Sequence, residues 1–121
     1  VLRRAAELGH YDMAMVAYNI ASHPILDEPI RFATDRGMGI IAMKAAAGVH
    51  QRYEELGPIP RKRLERLNRA IPGDMKAQVK GYLWALQNPC ITAAISEMYD
   101  RQMMEENLTV AGKKFPFNPV A

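Results

Sequence analysis

Three short runs of the chain, MAMVAY (13–18), GIIAM (39–43) and ITAAI (91–95), are apolar nearly throughout instead of alternating. Such runs suit β-strands covered on both faces, as in a parallel sheet or a barrel. Their borders argue against helices, since Gly37 and Gly39 precede the second run and Asn88-Pro89 the third. Between the runs, apolar positions recur at helical spacing. Residues 1–8 read as the end of a helix with Gly9 as its left-handed cap. Asp27, Glu28 and Pro29 open a second helix that runs to Arg36 and stops at Gly37. A short helix is expected near residues 60–70. Asp74 is expected to cap a further helix, with Met75, Val79, Leu83 and Leu86 on one face. Asp100 caps the last one, with Met104, Leu108 and Ala111 turned inward. The tail KKFPFNPVA (113–121) has two prolines and no period, and is expected on the surface.

Regular alternation of strands and helices implies right-handed crossovers and a parallel sheet. Three strands make a thin sheet with two edges that need cover. The expectation is therefore either a small α/β layer or the last strands of something larger. The length of 121 residues fits one small domain able to bury a core. With 49% hydrophobic and 24% charged residues, the composition is that of a globular protein and argues against disorder.

No apolar stretch reaches the ~18 residues of a membrane helix. The opening VLRRAAELGHYD has no initiator Met and no apolar leader, and reads as a chain joined mid-helix. The expectation is a cytoplasmic chain without a membrane partner. The lone Cys90 can make neither an internal disulfide nor a cysteine-based metal site, and reads as a small buried residue. The formal net charge of +3 is too small to argue for nucleic acid.

Ligands of parallel α/β proteins bind beyond the carboxyl ends of the strands. Tyr18 and Asn19 follow the first run, on what would be the substrate side. Met43 and Lys44 follow the second, and then come Ala45-Ala46-Ala47-Gly48, small residues that let a flat or charged ligand approach the backbone. Ser96, Glu97 and Met98 follow the third run, ahead of a helix carrying Glu105, Glu106 and Asn107. The helix start near Tyr99 and Asp100 could favour an anion, although the Asp100 carboxylate competes for the same N–H groups. There is no GxGxxG, no glycine–lysine phosphate loop and no HExxH.

The segments YDMAMVAYN, RGMGIIAMKAAAG, LWALQNPCITAAIS and MMEENL, in this order, resemble the C-terminal part of an aldo/keto reductase, in the bacterial branch with Met-Lys after the seventh strand. The resemblance spans nearly the whole chain, from the helix before strand six to the helix after strand eight of a (β/α)8 TIM barrel. It implies an oxidoreductase that reduces a small carbonyl substrate with NADPH or NADH. It also implies that the family's catalytic Asp, Tyr, Lys and His lie upstream of Val1, so that Tyr18 and Lys44 are not catalytic and the chain is inactive alone. By the same resemblance Met43 would face the nicotinamide, residues 96–99 would run near the adenosine phosphate, and Glu106 and Asn107 match an adenine-contacting pair. Three positions depart from the pattern. Met15 stands where many relatives hold the carboxamide with Gln, Glu97 replaces a Gly, and Met103 replaces an Arg that binds the 2′-phosphate in some relatives, with Arg101 nearby.

Plainer roles stand beside each of these. Lys44 can be a solvated strand-end lysine, Asn19 a turn former, Met15, Met43, Met103 and Met104 core filler, and Glu106 and Asn107 helix surface. His10, His23 and His50 lack metal spacing. The run RKRLERLNR (61–69), with Leu64, Leu67 and Ile71 spaced for burial, makes a basic amphipathic helix that could bind nucleic acid, a membrane surface or an acidic partner through Arg61 and Arg63, and whose default is a solvated face. The partners expected are the missing N-terminal half of the barrel or a second copy. The alternative to a reductase segment is a non-enzymatic half-barrel that self-associates or docks another protein.

Overall fold

A computed structural model describes residues 1–22, 24–49 and 57–113. The elements are α1 (Leu2–Leu8), β1 (Met13–Ala17), a 3-10 turn (Pro24–Leu26), α2 (Asp27–Thr34), β2 (Gly39–Met43), α3 (Pro58–Ala70), α4 (Ala77–Gln87), β3 (Ala93–Ala94) and α5 (Arg101–Leu108). The strands form one open parallel sheet in the order β1-β2-β3, with Ala14 opposite Ile40 and Ile41 opposite Ala93. The fold is thus mixed α/β with three parallel strands. Gly9 (φ 67°) closes α1 in the left-handed region as its position demands.

One face of the sheet meets the helices. Ile40 and Ala42 are fully buried there, with Ala14, Val16 and Ala94 packed against the same core. The opposite face carries Met13 at 59% and Met15 at 51% exposure, with Ala17 exposed and Ile41 and Met43 half-buried. This corrects the expectation of cover on both faces. The runs lack polar alternation, yet only one of their two sides is covered among the described residues.

α4 is the centre of the core. All eight residues from Gln78 to Ala85 are buried, so the helix is enclosed around its circumference and not along one stripe. Tyr18 stacks on Trp84 at 5.2 Å between ring centroids. The Tyr18 hydroxyl accepts from Asn88 Nδ2 at 2.9 Å, and Asn88 Oδ1 in turn accepts from Cys90 N at 3.0 Å. Burial pushes the Tyr18 phenol above its usual pKa. Lys80, 4% exposed, donates from Nζ to Asn68 Oδ1 at 2.8 Å, and burial pulls its amine pKa down.

Several expected boundaries shift for identifiable reasons. α4 begins at Ala77 with Lys76 at its cap position, because Gly73 (φ 109°) turns the chain and Lys76 is still extended (ψ 146°); Asp74 caps nothing. β3 is only two residues long, although Thr92 N still donates to Ile40 O at 2.8 Å and Ile95 N to Ala42 O at 2.9 Å; Ile40 N donates to Thr92 Oγ1 at 3.2 Å. Asp100 does cap α5, accepting from Met103 N at 2.7 Å. The inward face of α5 is not the expected one, however. Met104 and Leu108 are exposed, while Asn107 is buried with Met103 and Val110 half-buried beside it. The helix expected to be short near 60–70 is the longest among the described residues, and Leu64, Leu67 and Ile71 are buried as their spacing predicts. Cys90 is half-buried and unpaired as a disulfide. The tail from residue 114 lies outside the described residues.

Replacing Asn88 with Ala leaves the buried Tyr18 hydroxyl and the Cys90 N–H without their partner. The expected loss is about 1–3 kcal/mol, measured by urea unfolding, and Tyr18→Phe in the Asn88→Ala background should add less than it does alone.

Candidate functional site

Two adjacent strand ends build a cleft. The 44–48 loop leaves β2, residues 95–97 leave β3, and together with Tyr82 of α4 they enclose ≈ 390 Å³ lined by Lys44, Ala45, Ala46, Ala47, Gly48, Ile95, Ser96 and Glu97. This is the size of a small-molecule pocket. It lies beyond the carboxyl ends of parallel strands, where the topology directs free backbone groups toward a ligand.

The loop is held in an unusual conformation. Lys44 (φ 57°) and Ala47 (φ 26°) both have positive φ, although neither is glycine. A left-handed L-residue costs roughly 1–2 kcal/mol, so surrounding contacts must impose it. Three do. Asn19 Nδ2 donates to the Lys44 carbonyl at 3.3 Å, and Arg63 Nη1 donates to the Ala47 carbonyl at 2.9 Å. From beneath, α4 approaches so closely that a Cβ on Gly81 would lie 3.0 Å from Ala45 O and 3.0 Å from Ala46 Cα. At the start of the loop, Tyr18 N donates to Met43 O at 3.0 Å.

The expected site residues therefore separate. Lys44, Ser96 and Glu97 share the cleft. Met98 and Asn107, with Ser96 and Tyr82 again, line a neighbouring cavity of ≈ 130 Å³. Asn107 is 3% exposed, and its Nδ2 donates to Ser96 Oγ at 2.8 Å and to Glu97 O at 3.2 Å. Its Oδ1 is buried without a hydrogen-bond donor among the described residues. Because Nδ2 faces the Glu97 carbonyl, flipping the amide would set two acceptors against each other, so Oδ1 is the group left wanting a donor.

Other expected residues are engaged elsewhere. Tyr18 is 1% exposed in the core, with its hydroxyl taken by Asn88, and is not on the cleft wall. Asn19 is buried and forms a turn, its Oδ1 accepting from Ala21 N at 2.9 Å, so it acts on the cleft through the Lys44 carbonyl. Met43 lies on the open face of the sheet with Met15. Glu106 docks α5 on α4. It accepts from Lys76 Nζ at 2.7 Å, Gln102 Nε2 at 2.9 Å and Gln78 Nε2 at 3.4 Å. The Lys76 hydrogen bond is the main reason that its carboxyl pKa lies below the usual value. With Asp100 on Met103 N, the start of α5 is closed by its own cap.

Gly81 and Tyr82 carry no expected role from the sequence, and Arg63, expected only as part of a basic helix face, instead reaches the loop. A glycine inside a helical pattern is a recognisable sign of close approach; nothing local marks Arg63 among its basic neighbours. Among the described residues no His, Cys, Asp or Glu cluster could hold a metal, and no helix is long and apolar enough to cross a membrane. His10 is exposed, and His23 and His50 lie outside the described residues.

No protein-family model matches the chain, and no curated protein matches it.

Gly81→Ala should gain helix propensity of about 1 kcal/mol and lose about 1–3 kcal/mol to overpacking against the clamped loop. The expected result is a lower melting temperature together with amide shift changes over residues 44–48. An unchanged or raised melting temperature would show that the loop gives way freely.

Proposed function

We propose that this chain forms the nucleotide-holding part of an NAD(P)-dependent oxidoreductase of the aldo/keto reductase kind, contributing the last strands of a (β/α)8 barrel. The observation that carries the reading is the cleft itself. Lys44, a small-residue loop and the Ser96–Glu97 segment converge beyond parallel strand ends, and a buried amide oxygen beside them lacks a donor. The residues present fit a dinucleotide. Lys44 offers a cation for a phosphate, and Ala45 to Gly48 leave the backbone approachable.

The bound cofactor would supply a hydride to a carbonyl carbon. The chain's own residues hold and orient it, and none of them is assigned to catalysis. Tyr18, the residue whose type suggests a proton donor, has its hydroxyl in the core and its pKa pushed up by burial. The open sheet face suits the same reading, since Met13, Met15 and Ala17 would face a barrel interior. The test is a titration with NADH and NADPH at millimolar concentration, followed by amide NMR. Shifts concentrated at residues 44–48, 95–98 and 107 are expected and should weaken in Lys44→Ala; the pure chain should reduce no carbonyl. Absence of shifts for both nucleotides would refute the reading.

The open face also favours a second reading, a non-enzymatic half-barrel that covers Met13, Met15 and Ile95 by self-association. Sedimentation velocity across a concentration series should then show dimers or larger species, reduced by Met15→Lys. A monomer at every concentration would eliminate this reading.

A further inference from the structure

Neither the cleft nor the open sheet face makes use of the basic side of α3. This helix carries five cations, Arg61, Lys62, Arg63, Arg66 and Arg69, against the single acid Glu65. Taking these from the chain's 16 basic and 13 acidic residues leaves 11 and 12, so the whole positive excess of the chain resides on α3. Leu64 and Leu67 turn the apolar side of the helix into the core, and Arg63 reaches inward to the Ala47 carbonyl. Helical spacing puts Ile59, Lys62, Arg66 and Arg69 in one row about 15 Å long. Lys62 and Arg69 are exposed and make no ion pair among the described residues; Glu65 lies one turn from each and pairs with neither. Beside the row, Pro58, Arg61, Lys62 and Glu65 line an open groove of ≈ 340 Å³, and Ile59, next to Pro58, is 65% exposed. None of these residues lines the cleft.

We propose that this side of α3 docks an acidic polypeptide segment of a partner protein, one in which carboxylates are interspersed with apolar side chains. Four of the five cations are arginines, whose planar fork holds a carboxylate through two parallel hydrogen bonds. The groove gives a side chain a seat between such pairs, and Ile59 with the Pro58 ring gives it an apolar contact. An extended segment covers the row with about five residues at ~3.3 Å each. Other polyanions match the face less well. α3 has no aromatic side chain on which a base could stack, and Glu65 would stand among the phosphates. A bilayer surface takes up a helix by its apolar side, and that side of α3 is occupied by the core.

The experiment is fluorescence anisotropy of the full 121-residue chain with a labelled peptide of repeated Glu-Leu units, about eight residues long so that it spans the row. A Gln-Leu peptide of the same length, a DNA duplex and phosphatidylserine vesicles are titrated in parallel. The acidic peptide should bind, and should weaken as salt rises. Lys62→Glu with Arg69→Glu should weaken it about tenfold or more, with melting temperature as the folding control at these exposed positions. The same reversals at Arg31 and Lys113, exposed on other parts of the chain, should leave binding within about twofold. Glu65→Gln should tighten it. No binding of the acidic peptide, equal binding of its Gln counterpart, an affinity unmoved by the reversals at Lys62 and Arg69, or tighter binding of the duplex or the vesicles would each overturn the inference. None of these outcomes bears on the nucleotide reading of the cleft.

Discussion

Between Gly81 and the backbone of Ala45 and Ala46 there is room for a hydrogen atom and little more. That close approach sets where α4 lies, and α4 is the helix around which the rest is packed. It can come so near because the loop residues after Lys44 are small and because Gly81 has no side chain. The loop cannot retreat from it, since Asn19 holds one end by the Lys44 carbonyl and Arg63 the other by the Ala47 carbonyl. Positive φ at Lys44 and Ala47 is the visible consequence. The interior thereby fixes the shape of the cleft wall, and a change in the core at Gly81 acts on the site without touching it.

The same logic governs the second wall. Asn107 is drawn inward on α5 by Ser96 and the Glu97 carbonyl, at the expense of Met104 and Leu108, which remain exposed. Hydrophobic spacing alone would turn the helix the other way. A buried amide with two acceptors in reach outweighs two apolar side chains at a shallow surface, because an unmet amide donor costs more than a half-exposed methionine. The Glu106 carboxylate, engaged by Lys76 and two glutamines, fixes that rotation from the adjacent position.

How legible this was in the sequence depends on the range of the interaction. The strands, their parallel order and the caps at Gly9 and Asp100 follow from local patterns. Leu64, Leu67 and Ile71 follow from helical spacing. The convergence of Lys44 with Ser96 and Glu97 follows from the topology, since adjacent parallel strands must end side by side. What local pattern could not carry is set by partners far along the chain. Tyr18 is removed from the site by Asn88, seventy positions away, and Arg63 reaches the loop across sixteen.

The uncovered side of the sheet joins these observations. A strand of an open two-layer domain is expected to alternate, with polar residues toward water. β1 reads Met13-Ala14-Met15-Val16-Ala17, and its solvent side is as apolar as its core side. A sequence under no pressure to bury that side would carry Thr, Lys or Glu there at little cost. Its retention of methionines, with Ile41, Met43 and Ile95 continuing the surface across β2 and beyond β3, argues that the face is buried when the protein works. In a closed barrel it becomes interior, and the cleft above it gains a floor and a far wall. In a self-associated half-barrel the second copy supplies the cover. Both readings require the same apolar face, and they part at the cleft, where only the first gives a use to the strained Lys44 and the Ser96–Glu97 wall beside it.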